Sequence, residues 1–273
     1  MRTLYLDLSM GVAGDMFSAA LLDLLPKEAL QRMLLRLNEM GLPTLLVSAK
    51  EEEKCGLTGL QLQVNINGAE ELPEEVEEHG HDQDHHHHGG RSLHEVLFII
   101  ESLQVSQNIK AKVKTMYEII AKAEGLAHNK EVGEVHFHEV GMNDAIFDVC
   151  SAALLMDELK IDAVKASHVC VGKGKVKCAH GILDVPAPAT RHILEDGGVP
   201  YYYSEEEIGE LTTPTGAAII RRFATEFLHP TEIAKEMEKL QSKIKAGEVL
   251  TGYGMGHKDF SEPNCVRAYL VES

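Results

Sequence analysis

The segment LYLDLSMGVAGDMFSAALLDLL, residues 4–25, indicates the fold class of the chain. Residues 4–8 predict a short strand, SMGVAG at 9–14 a tight glycine-bearing turn, and residues 15–25 an apolar helix that stops before Pro26. Three aspartates interrupt the segment, and no apolar run reaches the roughly 20 residues that a membrane helix needs. The segment therefore predicts the first strand and helix of a soluble α/β domain, not a signal peptide.

Beyond this segment, helical and strand patterns alternate along the chain. Helices are predicted at 27–40, 92–103, 106–126, 143–159, 186–197 and 212–227. Strands are predicted at 44–53, at 57–67, twice within 162–181 and at Tyr201–Ser204, with strand and loop in the remaining C-terminal part. The pattern predicts an α+β or mixed α/β fold, in which helices pack on a mixed sheet.

The composition changes sharply at residues 68–91, GAEELPEEVEEHGHDQDHHHHGGR, which carry blocks of like charge and almost no apolar side chains. Such a segment cannot bury enough apolar surface to order itself, so we predict a long disordered His-rich insertion. The insertion separates an N-terminal α/β part, residues 1–67, from a main α/β part, residues 92–273.

The charge balance narrows the range of partners. Lys and Arg total 26 against 43 Asp and Glu, which gives a formal net charge of −17, and 15 His are present. Nucleic acids and anionic membranes are bound by clustered basic side chains, so we expect neither as a partner and expect metal cations instead. Five scattered Cys without a Cys-x-x-Cys pair indicate no disulfide framework and favour a cytoplasmic location.

The predicted helix 143–159 is apolar around most of its circumference, which is typical of a buried helix. Asp144 and Asp148 fall on its narrow polar stripe, and a buried carboxylate must be paired, hydrogen-bonded or metal-bound. Asp144 also has a structural explanation, because beside an N-cap at Asn143 it favours the positive end of the helix dipole. Asp148 lies one turn further in, which makes it the stronger candidate for a metal site.

Just before that helix, VHFHEV at 135–140 alternates as a strand does. His136 and His138 then point to one side, and Phe137 and Glu139 point to the other. Two imidazoles followed by the acidic stripe can converge on one ion, and such a donor set suits nickel, zinc, iron or copper. We therefore predict a metal site shared by the two histidines and the acidic helix. An ordinary polar strand face is the alternative for either histidine.

The insertion carries a different kind of metal signal. Its run HGHDQDHHHH ends in four consecutive histidines: His85, His86, His87 and His88. Any such run binds nickel or zinc without a fixed geometry. It predicts an arm that collects metal ions, and a tolerated loop is the alternative.

A basic stripe is unusual in so acidic a chain. Lys173, Lys175 and Lys177 alternate along a predicted strand and are followed by His180. The stripe suggests an anionic ligand, although a solvated strand face explains it equally well.

Two helix starts offer further anion sites. Thr213, Thr215 and Gly216 open a predicted helix whose free N–H groups and hydroxyls could receive a phosphate or carboxylate, although plain N-capping explains the same residues. Asp7 and Asp15 flank SMGVAG, and they would repel a phosphate unless a cation intervened. The second start therefore predicts a metal ion that bridges to a nucleotide.

Six stretches in order resemble the nickel insertion protein family, LarC. They are YLDLSMGVAGDM, the His-rich insertion, VHFHEVGMNDAIFD, CAHGILDVPAPAT, ELTTPTGAAI and GYGMGHKDF followed by PN. Each stretch is weak alone, but their order is specific and covers essentially the whole chain. The resemblance implies an enzyme of the lyase class that inserts Ni²⁺ into pyridinium-3,5-bisthiocarboxylic acid mononucleotide. The reaction is linked to CTP hydrolysis and forms a metal–carbon bond, and its product is the nickel-pincer nucleotide cofactor of lactate racemase.

The resemblance also implies roles for the residues singled out above. Asp148 belongs to the catalytic group, and a base such as His136, His138 or Glu139 would take up the ring proton that the metal displaces. Family members usually continue into a C-terminal domain that binds CTP with Mg²⁺ or Mn²⁺, whereas this chain stops at Val-Glu-Ser. We therefore expect it to need that domain as a partner. We also expect lactate racemase to receive the cofactor and this chain to form a homo-oligomer.

Two other functions fit the same residues. One is a nickel storage or delivery chaperone without chemistry of its own. The other is a metal-dependent nucleotide or phosphate-ester hydrolase that uses Asp7, Asp15 and the 136–148 cluster.

Overall fold

The computed structural model describes residues 1–66, 69–70, 90–179 and 181–272. Within these ranges the helices are α1 (Gly14–Asp23), α2 (Lys27–Asn38), α3 (Leu93–Ser102), α4 (Gln107–His128), α5 (Asn143–Glu158), α6 (Pro188–Asp196), α7 (Pro214–Phe223) and α8 (Pro230–Lys245). The strands are β1 (Arg2–Asp7), β2 (Leu45–Lys54), β3 (Leu57–Ile66), β4 (Ala69–Glu70), β5 (Arg91–Ser92), β6 (His136–Phe137), β7 (Ala163–Ser167), β8 (Val169–Cys170), β9 (Gly172–Lys173), β10 (Lys175–Cys178), β11 (Gly181–Asp184), β12 (Tyr201–Tyr202), β13 (Gly209–Glu210), β14 (Glu226–Leu228), β15 (Val249–Met255) and β16 (Cys265–Glu272).

A mixed sheet forms the centre of the fold, with strand order β14-β7-β1-β16-β15-β3-β2 and β4 beside β3. Strands β14, β7 and β1 run parallel to one another, and β16 is antiparallel to both β1 and β15. Leu4 and Leu6 of β1 are fully buried, as expected for a central strand covered by helices. The sheet and its helices confirm the predicted mixed α/β fold. The predicted disorder of the insertion falls largely on residues outside the described ranges.

Strands from both sides of the insertion take part in this sheet. β15 pairs in parallel with β3 through Gly254 and Leu60, and β1 pairs with β16 from Arg2–Glu272 to Asp7–Arg267. The predicted division into residues 1–67 and 92–273 stays a prediction, but the two parts share one sheet.

Helix α1 lies directly on the backbone of β15. A Cβ atom on Gly254 would lie 1.8 Å from the carbonyl oxygen of Met16, and one on Gly252 would lie 2.3 Å from that of Ala20. Only residues without a side chain permit so close a contact. Helix α5 packs against α1, and the Ser18 and Ser151 hydroxyls hydrogen-bond across the contact at 2.8 Å. Helix α1, from the segment quoted at the start of the chain, therefore packs against both the sheet and α5.

Residues 230–245 correct the sequence-based prediction of strand and loop, because they form helix α8. The helix begins with a capping box between His229 and Glu232, and its buried residues are only Ile233 and Met237. So narrow an apolar face gives a weak helical pattern in the sequence. The capping residues therefore indicate this helix more clearly than its hydrophobic periodicity does.

Two further boundaries differ from the prediction. The helix predicted at 212–227 begins behind the Thr213 cap but ends at Phe223, and β14 follows it. The segment 162–181 contains four short strands in place of two. Gly172 and Gly174 have φ angles of 86° and 108°, a conformation that bends the chain between these strands.

All five cysteines are free thiols in the structure. In the described ranges no helix is both long and apolar enough to cross a bilayer.

Candidate functional site

A cavity of about 360 Å³ lies where three helices begin. The first turns of α1, α5 and α7 line it, together with the segment after β6, strand β13 and the segment between β15 and β16. Its polar lining residues are Asp15, Glu139, Asp144, Asp148, Glu210, Thr213, Thr215, His257, Lys258 and Asn264. The cavity therefore combines carboxylates, hydroxyls, an imidazole and an ammonium group drawn from distant parts of the chain.

Glycines bring the three helix starts together. A Cβ on Gly14, the first residue of α1, would lie 2.4 Å from the Cβ of Asp148 in α5. A Cβ on Gly216 in α7 would lie 2.1 Å from the carbonyl oxygen of Val12, just before α1. Side chains at either position would separate the helices, so these glycines set the width of the cavity.

Three carboxylates interact at the α1–α5 side of the cavity. Burial raises the pKa of Asp148 well above its ordinary value, and the charges of Asp15 and Asp144 raise it further, while a hydrogen bond with Thr215 opposes the shift. The Oδ1 atom of Asp144 is buried and has no hydrogen-bond partner among the described residues. A divalent cation between these groups would relieve both the repulsion and the unmet hydrogen-bonding demand.

His257 completes this side of the cavity. Its Nε2 atom lies 3.4 Å from Oδ2 of Asp15, and both side chains are mostly buried. The other oxygen of Asp15 accepts a hydrogen bond from the Met16 backbone N–H at 2.7 Å. Asp15 is thus held in position while one of its oxygens faces an imidazole.

Glu210 forms a second ionisable centre in the cavity. Burial raises its pKa to about 7, a neighbouring charge on Glu139 contributes to the rise, and Lys258 opposes it. Glu139 itself accepts a hydrogen bond from the Ala179 N–H at 2.6 Å. Among the described residues, Asp15 and Asp144 are the charges that act on Asp148, whereas Glu139 and Lys258 are those that act on Glu210.

The structure brings together part of the predicted site. The predicted residues that line the cavity are Asp15, Glu139, Asp144, Asp148, Thr213 and Thr215. The Gly216 N–H lies next to it and donates to Thr213 Oγ1 at 3.2 Å, so Thr213 does act as an N-cap. The expected N-cap of α5 was wrong: Met142 holds that position, and Asn143, the first helical residue, accepts a hydrogen bond from Arg91.

The predicted histidine pair lies outside this cavity. His136 and His138 are exposed while Phe137 between them is buried, which fits the predicted alternation. Glu139 is exposed rather than opposite to them, because the chain turns directly after β6. His138 immediately precedes the cavity-lining Glu139, so the pair lies next to the cavity along the chain. Its role as metal ligand stays a prediction.

The remaining predicted residues are spread over other surfaces. Asp7 accepts hydrogen bonds from Arg267 at 3.1 Å and from the Ser9 N–H at 3.0 Å, and it does not line the cavity. Lys173 is exposed in β9, and Lys175 forms an ion pair with Asp184 at 2.8 Å. Other predicted residues lie outside the described ranges: His180, His85, His86, His87 and His88.

The sequence analysis missed four cavity residues. They are Glu210, His257, Lys258 and Asn264. All four fall within the stretches ELTTPTGAAI and GYGMGHKDF…PN. Those stretches carried the family resemblance, but nothing in their local pattern shows that both fold beside the start of α5.

The donor types of the cavity suit a divalent metal ion, since carboxylate and imidazole are common ligands of nickel and zinc. Across residues 1–66, 90–179 and 181–272, however, no three His, Cys, Asp or Glu side chains are already arranged to hold such an ion. Fold and cavity together define a mixed α/β protein with an acidic cavity that attracts cations.

The chain belongs to the nickel insertion protein family, whose model matches residues 4–273. It is 41% identical over 273 residues to a pyridinium-3,5-bisthiocarboxylic acid mononucleotide nickel insertion protein of Clostridium kluyveri, covering 100% of this chain and 62% of that protein. A protein of the same name from Clostridium acetobutylicum is 39% identical, with 100% and 64% covered. A putative nickel insertion protein of Dictyoglomus thermophilum is 35% identical, with 100% and 61% covered.

The chain spans about three-fifths of the length of these relatives. A comparison with solved structures found no significant match.

Proposed function

We propose that this chain receives Ni²⁺ in its acidic cavity and takes part in inserting it into pyridinium-3,5-bisthiocarboxylic acid mononucleotide. The observation that carries the proposal is the meeting of Asp15, Asp144 and Asp148 at one side of a cavity large enough for part of a nucleotide. The substrate is the one that the names of relatives from two Clostridium species contain.

The cavity carboxylates serve as a temporary station for the metal ion. Burial and the charges of Asp15 and Asp144 raise the pKa of Asp148, so an entering Ni²⁺ ion competes with protons for this cluster. A site that must release its ion to the substrate should hold it less firmly than a complete coordination shell would. Among the described residues the donors do not form a complete metal site, and we assign them to transfer rather than to permanent storage.

Exposed imidazoles provide the approach to this station. His136 and His138 lie in the segment that leads to Glu139 at the cavity, where they can pass an ion inward. The histidine run at 85–88 raises the local nickel concentration, in our proposal, without taking part in the chemistry.

The anionic groups of the substrate can bind in the same cavity. Lys258 lines the cavity with Thr213 and Thr215, and the phosphate or the thiocarboxylate groups can replace the 3.0 Å hydrogen bond that joins the two hydroxyls. The start of α7 adds a favourable dipole for an anion. The chemistry of the family implies that the ring carbon then loses a proton and binds the metal.

The remaining steps of the reaction require other proteins or domains. We propose that a C-terminal domain of the family supplies CTP binding with Mg²⁺ or Mn²⁺, and that lactate racemase receives the product. We further propose that the chain acts in the cytoplasm as part of a homo-oligomer and belongs to the lyase class.

The test compares Asp148→Asn with Asp157→Asn. Both substitutions remove a carboxylate from α5, but Asp157 does not line the cavity. With Ni²⁺, CTP, Mg²⁺, the dithio-nucleotide and the C-terminal domain, the parent and D157N should form the nickel–carbon product. D148N should lose about 100-fold or more of the rate, as expected when a ligand or positioned acid is removed. Equal rates for D148N and the parent would contradict the proposal.

A deletion of residues 79–88 separates insertion from storage. An insertase should keep its single-turnover rate when nickel is plentiful, while the stoichiometry of bound nickel falls. A storage protein should lose most of its nickel capacity and form no product in either version. Phosphate release from CTP by this chain alone would instead indicate the hydrolase.

A further inference from the structure

Strand β13 forms one wall of the cavity and contains Glu210, whose backbone is held by neighbouring segments. Glu210 pairs with Gly172 of β9 in an antiparallel bridge, and the next N–H, of Leu211, donates to the Val171 carbonyl at 3.2 Å. The backbone of Leu211 also lies against Gly11, where a Cβ would be 2.1 Å from the Leu211 carbonyl oxygen. The backbone that carries Glu210 is thus held from two directions.

The carboxylate of Glu210 differs from the other acids of the cavity in what it contacts. Glu139 accepts a backbone hydrogen bond, and Asp15 faces His257 and a backbone N–H. Within the described part of the chain, no hydrogen bond reaches the Glu210 carboxylate. Glu210 lines the cavity, where its carboxylate can accept a proton from a bound molecule.

The charges around Glu210 come from several elements. Glu139 from the segment after β6 and Lys258 from the segment after β15 are the groups that act on it. Asp15, Asp144, Asp148 and His257 line the same cavity from α1, α5 and the segment after β15. Burial and Glu139 raise its pKa while Lys258 limits the rise, and the result is a pKa of about 7. A base with a pKa near the working pH is the most effective proton acceptor.

We propose that Glu210 is the base that accepts the ring proton of the substrate when Ni²⁺ takes its place. The carbon–hydrogen bond breaks, its electron pair forms the carbon–nickel bond, and the proton moves to a carboxylate oxygen of Glu210. Nickel stays divalent, so no oxidant or reductant is required. The proposal rests on the proposed function and assigns the proton to a residue other than His136, His138 or Glu139.

The division of the cavity supports this assignment. Asp15, Asp144 and Asp148 repel one another and therefore favour the metal ion. The charges that act on Glu210 are those of Lys258 and Glu139, so an ion held by the aspartates leaves its carboxylate to act as base. One set of acids holds the metal, and another takes the proton that the metal displaces.

The test uses Glu210→Gln, with Glu205→Gln as a control on an exposed residue of the same segment. The assay contains this chain, the C-terminal domain, Ni²⁺, CTP, Mg²⁺ and the dithio-nucleotide. The parent rate of product formation should rise with pH through a midpoint near 7 and then level off. E210Q should be slower by about 100-fold or more, lose that midpoint and show a larger isotope effect with a deuterated ring, while its affinity for Ni²⁺ stays within about twofold. E205Q should match the parent.

A second measurement needs only the chain itself. In a sample with ¹³C-labelled glutamate carboxyl groups, one NMR resonance absent from E210Q should titrate near pH 7. A Glu210 resonance that titrates below about pH 5, or an E210Q variant with the rate and pH profile of the parent, would overturn the inference. A parent that binds Ni²⁺ but forms no carbon–nickel product would instead overturn the proposed function, and the inference with it.

Discussion

Gly14 and Asp148 touch so closely that a Cβ on the glycine would lie 2.4 Å from the Cβ of the aspartate. This contact between the first residue of α1 and the second turn of α5 determines how near the two helices can approach. The same aspartate lines the cavity to which both helices contribute. Packing and the proposed metal station therefore depend on the same pair of residues.

Replacing Gly14 by Ala should push α5 away from α1. We expect a loss of about 1–3 kcal/mol in the free energy of unfolding, typical of overpacking, together with weaker binding of Ni²⁺. Urea denaturation and calorimetric titration measure the two effects. Gly133→Ala is the matched control, because a Cβ there meets nothing within 4 Å. A G14A variant as stable as G133A would show that the helices can separate without penalty.

Removing Ser18 and removing Ser151 should reduce the stability of the fold by different amounts. Ser151 also donates to the Asp148 carbonyl at 3.0 Å, so it keeps a partner when Ser18 is removed, whereas Ser18 loses its partner when Ser151 is removed. S151A should therefore cost about 1–3 kcal/mol of stability and S18A about 0.5–1.5 kcal/mol. A double-mutant cycle under urea denaturation measures the coupling. Equal costs for the two single variants would count against this assignment of donors.

The stability of the chain should fall as the pH rises toward neutrality, in part because of Glu124. Burial and then the charge of Glu139 raise its pKa from 4.5 to about 7, so between these values the folded chain binds more protons than the unfolded chain. Stability is then lost as the pH increases, by up to about 3 kcal/mol for this group. His128, 3.5 Å from Glu124, reduces the effect wherever it is charged.

Glu124→Gln should remove this dependence. It should leave stability at about pH 4.5 nearly unchanged and raise it above pH 7 relative to the parent. Thermal unfolding across that range is the measurement, and Glu118→Gln, an exposed change on the same helix, is the control. If E124Q and E118Q followed the same curve, the pKa of Glu124 would not be raised in the folded chain.

Substitutions of Thr213 can separate the two explanations of the α7 start, N-capping and anion binding. Its hydroxyl accepts the Gly216 N–H, so Thr213→Ala should reduce stability by about 1 kcal/mol, and Thr213→Ser should restore it. If the hydroxyl also holds the substrate, T213A should weaken nucleotide binding by more than the stability loss explains. Thr215→Ala leaves the Gly216 N–H cap in place but removes the hydrogen bond with Asp148, so binding of Ni²⁺ to this variant is measured alongside binding of the nucleotide.

The sequence predicted those parts of the fold that have strong local signals. The strand–turn–helix at residues 4–25 and the buried helix that follows His138 are found close to their predicted bounds, because both have apolar patterns of clear period. The helix at 230–245 was missed because only Ile233 and Met237 are buried in it. Local periodicity reports burial, and this helix is hardly buried.

The cavity was harder to predict because its residues are far apart in the chain. Asp148 stood out as a carboxylate on an apolar helix, and it does line the cavity. Glu210 and His257 lie in segments without any local anomaly, and only the pairing of β13 with β9 and of β15 with β16 carries them there. Conversely, Asp7 has a role that its sequence position does not reveal, because its partner Arg267 is supplied by β16.

The cavity is assembled from Val64 and four separate stretches, near residues 13–16, 139–148, 210–215 and 256–264. No fragment of the polypeptide contains it, so denaturant that melts the domain also abolishes it in the same cooperative step. The four imidazoles at 85–88 are contiguous in the sequence, so they would chelate nickel in an unfolded chain as well. Retention of nickel by denatured protein is therefore no measure of the site where the chemistry is proposed to occur.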